Sequence, residues 1–504
     1  MDSLREYTGR VLEPWSPVVV SNRAPFEPGP GGRLRRGAGG LVTALLTVAE
    51  ATRADWIACA RTPAERELAE AGHGVEVAGY GDGMRVHYVK VDPERYRRYY
   101  SVIANPLIWF IQHYLWDLRR EPVIDERIWD AWYGGYVAVN RAFGDRVAEV
   151  AQALPRKPLI LTQDYQLYLA PTRIRELLPQ ATLQQFIHIP WPTPQYWRVL
   201  PQPMRDAIMH GLLANDVIGF QSLGDVRRFL ISCEELIDLR VDHRERAVLY
   251  NGRVVWARSY PISIDVGSME RLAQSPAVRT ELEALRAWRP EKLIVRVDRT
   301  DPAKNIVRGF LAYERMLRAH PELWRRVVFY AFLQPSRQDI SAYRDYVASV
   351  KATAERINRD LGQRGGGGWQ PIRLEFGENL RRAVAAYLDF DVLLINPIYD
   401  GMNLVAKEGM LLNRRHGVLV LSENAGAHEE LGAWAQTINP FDVDATGEAL
   451  HHALTLPEST RRRSINAIRE QIRTHDLARW LSLQVRDLRD LVMDEGQPSP
   501  QPAG

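Results

Sequence analysis

The sequence predicts an α/β protein built from two α/β blocks. Short apolar, strand-like runs alternate with helical periodicity along almost the whole chain. At 504 residues the chain exceeds what one compact core holds. Polar or charged clusters sit directly after several apolar runs, where open α/β sheets bind ligands. Composition agrees: 46% hydrophobic and 25% charged residues are ordinary for a globular protein. A net charge of +3, from 65 basic and 62 acidic side chains, gives no support for a nucleic-acid partner. With Cys59 and Cys233 alone there is neither a disulfide framework nor a thiolate metal site. Met1 to Trp15 lacks the apolar core of a signal peptide, and no apolar run approaches the roughly 20 residues that span a bilayer. A cytoplasmic protein with no membrane contact is the expectation; the oligomeric state is left open, a homo-oligomer included.

In chain order, Val18-Val19-Val20 reads as the first buried strand and Leu41 to Arg53 as a helix. Pro158-Leu159-Ile160-Leu161 is the next clear strand. Near Tyr260-Pro261-Ile262-Ser263 the α/β pattern gives way to a passage of low periodicity, and a second block begins at Lys292 with Leu293-Ile294-Val295. Helices follow at Asn305 to Ala319, Ser341 to Leu361 and Thr446 to Leu456, with strands at Val327 to Leu333, Asp391 to Ile395 and Gly417 to Leu421. Gly365 to Gly368 has no following Lys-Ser/Thr and reads as a flexible surface loop, not a phosphate cradle. The expected division is 1–260, 261–475, a helix over 476–495 packing back on the first domain, and a disordered tail over 496–504.

The most informative stretch is Asn396-Pro397-Ile398-Tyr399-Asp400-Gly401-Met402-Asn403-Leu404-Val405-Ala406-Lys407-Glu408, a strand–turn–helix junction. Gly401 is expected to make the tight turn, with the N–H groups of the new helix facing an oxyanion or diphosphate. Glu408 is placed to accept hydrogen bonds from a ribose diol. Other junctions share the pattern. Ser21-Asn22-Arg23-Ala24-Pro25 leads to Gly39-Gly40, which could bring backbone N–H groups up to phosphate, and Arg23 offers a forked phosphate-binding cation. Gln163-Asp164-Tyr165-Gln166 and His188-Ile189-Pro190-Trp191-Pro192 each present a polar side chain after a strand. Arg299 and Lys304, in Asp298-Arg299-Thr300-Asp301-Pro302-Ala303-Lys304-Asn305, could converge on one diphosphate; Arg337 follows another strand. Taken singly each has a plain alternative: Arg23 or Arg337 as a surface ion-pair partner, His188 as a core histidine, Asp164 as a helix cap. Asp442-Val443-Asp444 reads as a helix start, and His210, His428, His451 and His452 show no zinc spacing, so no metal and no cofactor are expected. Together the residues point to an enzyme acting on phosphorylated or nucleotide-linked substrates.

At these residues, from about Val18 to Leu491, the chain resembles the trehalose-6-phosphate synthases. The specific pieces are Ser21-Asn22-Arg23, Tyr99-Tyr100 with Trp109, His188-Ile189-Pro190, Pro335-Ser336-Arg337, Asp400 through Glu408, and Ala425-Gly426-Ala427 with Glu430-Leu431. The resemblance implies the GT-B fold of retaining glycosyltransferase family 20, two facing Rossmann-like domains with the active site in the cleft between them. It implies transfer of glucose from a nucleotide-diphosphate glucose to glucose 6-phosphate, without metal or covalent nucleophile. By matched position, the sugar donor is held by Gly39, Gly40, Arg299, Lys304, Asp400, Gly401, Met402, Asn403, Leu404 and Glu408. The acceptor falls to Arg23, Tyr100, Trp109, Asp164 and Arg337, and the catalytic roles to His188, Asp164, Arg299 and Lys304. The family's His-Asp-Tyr-His is here Gln163-Asp164-Tyr165-Gln166, and its Lys-Gly is Lys304-Asn305. Gln166, Pro302 and Asn305 are similar to validoxylamine 7′-phosphate synthase, a pseudo-glycosyltransferase, so an aminocyclitol phosphate or glycerol 3-phosphate stands as an alternative acceptor. A catalytically silent sugar-phosphate-binding homologue is the distant alternative, against which the joint presence of Arg299, Lys304, Asp400 and Glu408 argues.

Overall fold

Val18, Val19 and Val20 are wholly buried because their strand, Trp15–Ser21, runs through the middle of a ten-stranded sheet. A strand covered on both faces is a continuous apolar run, which makes it legible in sequence. The computed structural model describes residues 2–28, 34–36, 40–72, 74–76 and 84–494. Gly39 and the tail 496–504 lie outside them; Gly40 opens the helix Gly40–Thr52. The chain divides into two compact units, Met1–Tyr260 with Ala478–Gly504, and Pro261–Leu477.

In the first unit the sheet order is Val241–Asp242, Ala247–Tyr250, Arg253–Ser259, Val217–Phe220, Thr182–Phe186, Lys157–Gln163, Trp15–Ser21, Asp55–Cys59, Arg85–Val89, Val75–Glu76. Every pairing from Arg253–Ser259 across to Arg85–Val89 is parallel, and only the outer strands are antiparallel. Sequence order reverses between Trp15–Ser21 and Lys157–Gln163, whose register pairs Val18 with Ile160. That reversal opens a crevice at the carboxyl ends of the two strands. The C-terminal helix Leu477–Asp494 is tied to this unit: Gln184 Nε2 donates to Gln484 Oε1 at 2.8 Å, Tyr260 donates to Asp487 Oδ2 at 2.7 Å, and Trp480 packs edge-on to Phe186.

The second unit holds a six-stranded, wholly parallel sheet in the order Ile372–Phe376, Val327–Gln334, Lys292–Arg299, Val392–Ile395, Val418–Ser422, Gln436–Ile438. Its reversal lies between Lys292–Arg299 and Val392–Ile395. The helix Ile306–Ala319 covers one face, with Phe310 and Tyr313 both edge-on to Phe329 at 5.3 and 5.4 Å. The passage of low periodicity is not irregular: it contains the helices Val266–Ala273 and Pro276–Arg286. Pro276–Arg286 is an 11-residue helix that buries Val278, Leu282 and Leu285 at helical spacing, so its period was readable, as were the caps of both helices. Asp265 accepts from the Ser268 N–H at 2.9 Å, and Ser275 precedes a proline at the first helical position. The glycine run is also ordered into a specific shape. Gly365 ends the helix Ser341–Gly365 and Gly366, Gly367 and Gly368 have φ of 67°, 63° and 71°, a left-handed run that side chains other than glycine rarely adopt.

Candidate active site

The first unit brings Asn22, Asp164, His188 and Gln221 to the carboxyl ends of adjacent parallel strands. Ser21 Oγ accepts from Trp56 Nε1 at 2.9 Å and donates to the Arg23 carbonyl at 2.7 Å, which shapes the loop and leaves the Arg23 side chain exposed. Buried Asn22 donates to Tyr96 at 3.3 Å and accepts from Tyr99 at 3.2 Å. Those bonds fix the helical segment that carries Tyr100, whose ring stacks on Tyr96 at 5.4 Å. Asn105 continues the chain of contacts, donating to the Tyr100 carbonyl at 3.2 Å and accepting from Tyr165 at 2.7 Å. Trp109 is buried, stacked on His113 at 4.0 Å and packed against Tyr165. Arg23, Tyr100, Trp109 and Asp164 thus belong to one hydrogen-bonded and aromatic framework.

Asp164 has φ 70° and ψ 176°, a conformation that costs a non-glycine residue about 1–3 kcal/mol and persists only where neighbours hold it. Here its N–H donates to the Phe186 carbonyl at 2.7 Å and its carbonyl accepts from Gln185 Nε2 at 3.1 Å. The carboxylate is not used as a helix cap; Oδ1 accepts from the His188 N–H at 3.2 Å. Burial pushes the His188 imidazole down to about 3, so it is neutral near pH 7. Its Nε2 lies 3.1 Å from Gln163 Oε1, and its Nδ1 lies 3.3 Å from Gln221 Nε2. Gln163 turns its own amide nitrogen to the Leu161 carbonyl at 3.2 Å. The network therefore assigns the proton to Nε2 and makes Nδ1 the acceptor.

In the second unit Lys304 and Asp400 stand on either side of the strand-order reversal. Lys304 Nζ is 2.5 Å from Asp400 Oδ2, which also accepts from Asn403 Nδ2 at 3.0 Å. Arg299, at the end of its strand, is exposed. The charge of Lys304 is thus balanced by a carboxylate of the protein. Beneath them Arg296 is fully buried: Nε donates to Asp298 at 2.8 Å, and Nη2 to the Lys304 carbonyl at 2.7 Å and to Asn396 Oδ1. Burial pushes the Asp298 carboxyl up, opposed by Arg296 and Lys304.

Asn305 has φ 58° and ψ 38°, and its Nδ2 donates to the Asn396 carbonyl at 3.0 Å and the Pro440 carbonyl at 2.8 Å. Asparagine tolerates the left-handed region better than other side chains, so this departure from glycine keeps the turn.

The turn at 400–404 corrects one expectation. Its left-handed residue is Asn403, at φ 75°, whereas Gly401 is not among the described glycines with positive φ. Glycine is required instead at Gly426, where a Cβ would lie 1.8 Å from the Gly401 carbonyl oxygen. The Asp400 N–H is committed to the Asn424 carbonyl at 3.2 Å. Among the described residues no intramolecular acceptor is found for the N–H groups of Gly401, Met402 and Asn403. Asn403 Oδ1 is likewise buried without a hydrogen-bond partner, and Leu404 opens the helix Leu404–Leu412. On that helix Glu408 accepts from Tyr387 at 3.2 Å, and burial pushes its carboxyl up to about 7. Arg337 (φ 46°) reaches Asp301 Oδ2 at 3.3 Å and Tyr343 at 2.5 Å. Asp442 caps the helix Val443–Thr455 and Asp444 pairs with Arg315, so both belong to structure.

Residues 16–490 match the model of glycosyltransferase family 20. The chain belongs to that family. It is 33% identical over 478 residues to a bifunctional trehalose-6-phosphate synthase/phosphatase of Thermoproteus tenax, covering 92% of this chain and 62% of that protein's length. It is 29% identical over 438 residues to a validamine 7-phosphate valienyltransferase of Streptomyces hygroscopicus subsp. jinggangensis, covering 86% and 85%. Among solved structures it is similar to an E. coli trehalose-6-phosphate structure bound with UDP-2-fluoro glucose, at 27% identity and TM-score 0.81 over 96% of this chain and 100% of that one. A Burkholderia xenovorans UDP-forming synthase in complex with glucose-6-phosphate gives 27% identity and TM-score 0.78 over 94% and 99%. This family 20 member is a glycosyltransferase with two parallel-sheet α/β units, the GT-B class. No helix among the described residues is long and apolar enough to cross a membrane.

Sequence reasoning missed Arg296, Asn396 and Gln221. Arg296 carried a signal, a cation in the middle of the apolar run Leu293 to Val297. Asn396 was quoted only as the start of the turn, and Gln221, which directly follows the apolar strand Val217–Phe220, carried the same signal as the other junctions.

Proposed function

We propose that the chain moves glucose from a nucleotide-diphosphate glucose to glucose 6-phosphate, forming trehalose 6-phosphate with retention of configuration. The observation that carries this reading is the second unit's turn. There, three N–H groups without internal acceptors lie beside a lysine neutralised by Asp400. Such a turn suits a diphosphate, which would compete with Asp400 for Lys304. Arg299 and Lys304 stabilise the negative charge that grows on the diphosphate as the anomeric C–O bond breaks. The acceptor hydroxyl forms the new bond on the same face, and its proton passes to the departing phosphate oxygen. Glu408 accepts from the ribose diol, and Asn403 Oδ1 is available to a sugar hydroxyl.

In the first unit, Arg23, Tyr100 and Trp109 hold the phosphorylated acceptor and Asp164 accepts from a sugar hydroxyl. His188 is neutral with both ring nitrogens occupied, so it positions Asp164 and the sugar without acting as nucleophile or base. Arg337, which belongs to the second unit, offers a forked phosphate ligand there. The reaction proceeds without a metal ion. Gln163, beside His188, and the likeness to the valienyltransferase favour one second reading, an aminocyclitol phosphate as acceptor. A product assay decides: UDP-, GDP- and ADP-glucose are offered against glucose 6-phosphate, validamine 7-phosphate and glycerol 3-phosphate, with mass detection. Trehalose 6-phosphate as the main product supports the first reading, and its absence with any donor overturns it.

A further inference from the structure

His320 and His451 lie far apart in sequence, yet their rings stack at 3.5 Å between centroids and 9° between planes. Glu448 sits one helical turn before His451 on Val443–Thr455, on the same face. Ligand atoms of His320, Glu448 and His451 all lie within 4.8 Å of one another. From this convergence we propose that His320, Glu448 and His451 bind a divalent ion of the zinc class, which clasps the end of one helix of the second unit to the middle turns of another.

Two further observations point the same way. His320 Nδ1 lies 3.1 Å from Glu322 Oε1, so that nitrogen donates to a carboxylate and leaves Nε2 as the ligand. A carboxylate behind a histidine is the usual support of a metal-ligating imidazole, fixing its tautomer and raising its basicity. Both rings are half-exposed and Glu448 is exposed, so the rings can turn their nitrogens out of the stack. Closing to metal–ligand distances of about 2.0–2.2 Å needs side-chain rotation only. Two imidazoles and one carboxylate favour zinc, cobalt, nickel or copper over magnesium or calcium.

The clasp has a defined place in the fold. His320 directly follows the last turn of the helix Ile306–Ala319, which Asn305 precedes, and Glu448 and His451 lie in the middle turns of Val443–Thr455. At their starts the two helices are tied by the bond from Asn305 to the Pro440 carbonyl. Midway they touch closely, since a Cβ on Gly447 would lie 2.9 Å from the Ala312 carbonyl oxygen. An ion would secure the His320 end of the first helix, a helix length of about 20 Å from the Lys304 turn. Its expected effect is on stability, by binding the folded chain in preference to the unfolded one.

The test uses untagged full-length protein stripped with chelator. It is titrated with Zn²⁺ and Mg²⁺ by calorimetry and with Co²⁺ by visible absorption, with thermal melting in parallel. The expected result is one Zn²⁺ per chain, no Mg²⁺ binding at the same concentration, a Co²⁺ ligand-field band, and a rise in Tm. Affinity should fall at least tenfold in His320→Ala, His451→Ala and the exposed Glu448→Gln, and stay unchanged in His452→Ala. Turnover of the stripped enzyme should equal that of the loaded one. Absence of Zn²⁺ binding overturns the proposal. So does equal binding by Glu448→Gln and His451→Ala, which would place the ion elsewhere, or loss of turnover on stripping, which would make the ion catalytic.

Discussion

The two units organise their functional residues with different chemistry. In the first, Asn22, Tyr99, Asn105, Tyr165, Gln163, His188 and Gln221 are neutral groups joined by hydrogen bonds. In the second, the framework is ionic: Arg296 with Asp298, Lys304 with Asp400, Arg337 with Asp301, Lys407 with Glu430. The difference follows the load each half is proposed to carry. Sugar hydroxyls are neutral and are read by amides, phenols and carboxylate oxygens. A departing diphosphate gains charge in the transition state and needs cations held in place beforehand. Those cations require internal anions while no ligand is bound, because an unpaired buried charge is costly.

The largest expected effect tests the ionic framework. Arg296→Met removes the partner of buried Asp298, and such a loss costs about 3–5 kcal/mol of stability. Tyr99→Phe in the neutral framework leaves one acceptor on Asn22 unpaired and costs roughly 1–3 kcal/mol. Denaturant unfolding of both variants checks the ranking, and equal losses would erase the proposed contrast between the units.

Next in size is Lys304→Ala, expected to remove about 2.7–4 kcal/mol of transition-state stabilisation. Turnover should fall by two to three orders of magnitude, more than affinity for the sugar donor; near wild-type turnover would mean the leaving group lies elsewhere. Arg337→Ala should cost about 1.5–3 kcal/mol, the worth of a charge-assisted hydrogen bond, in use of a phosphorylated acceptor. The comparison is kcat/KM with glucose 6-phosphate and with free glucose. A variant that keeps the wild-type preference for the phosphorylated sugar removes Arg337 from the acceptor site.

The smallest effect is a pH dependence that separates the halves. Glu408 titrates near 7 in the folded, ligand-free chain and must be ionised to accept from a ribose diol. Affinity for the sugar donor should therefore fall as pH drops below 7, by at most tenfold per unit, and flatten above it. Calorimetry between pH 5.5 and 8.5, roughly bracketing that value, checks this, and Glu408→Gln should abolish the slope. His188 titrates near 3 and adds no slope in that range. In stability the two act oppositely. The lowered His188 value gives stability that is full above its unfolded value of 6.5 and is lost as pH falls towards 3. The raised Glu408 value gives stability present below 4.5 and lost as pH rises to 7.

Much of the architecture, and the placing of polar clusters at strand ends, was legible from local signals. Apolar runs such as Val392 to Ile395 are continuous because both faces of a parallel sheet are covered, and the polar clusters after them follow from where such sheets bind ligands. Asp164 and His188 were named from their junctions, and the structure links them by a 3.2 Å bond. The helices Val266–Ala273 and Pro276–Arg286 were missed although their caps and, in the second, Val278, Leu282 and Leu285 at helical spacing recorded them. The tight turn was assigned to Gly401 from its place at the strand–helix junction, although the left-handed conformation falls on Asn403 and the close approach on Gly426.

The sequence by itself determined the α/β class, the succession of strands and helices, and which junctions carry charge. These depend on periodicity and on residue types within a few positions of each other. Only the tertiary structure decided who meets whom. Asp400 neutralises Lys304, Arg296 binds three segments from beneath, two glutamines hold His188 in one tautomer, and His320 lies against His451. Apart from the bonds of Arg296 to Asp298 and to the Lys304 carbonyl, those pairings join residues distant in the chain, so no local pattern records them. Strand order and register bring the partners together, and those are set by packing of the whole unit.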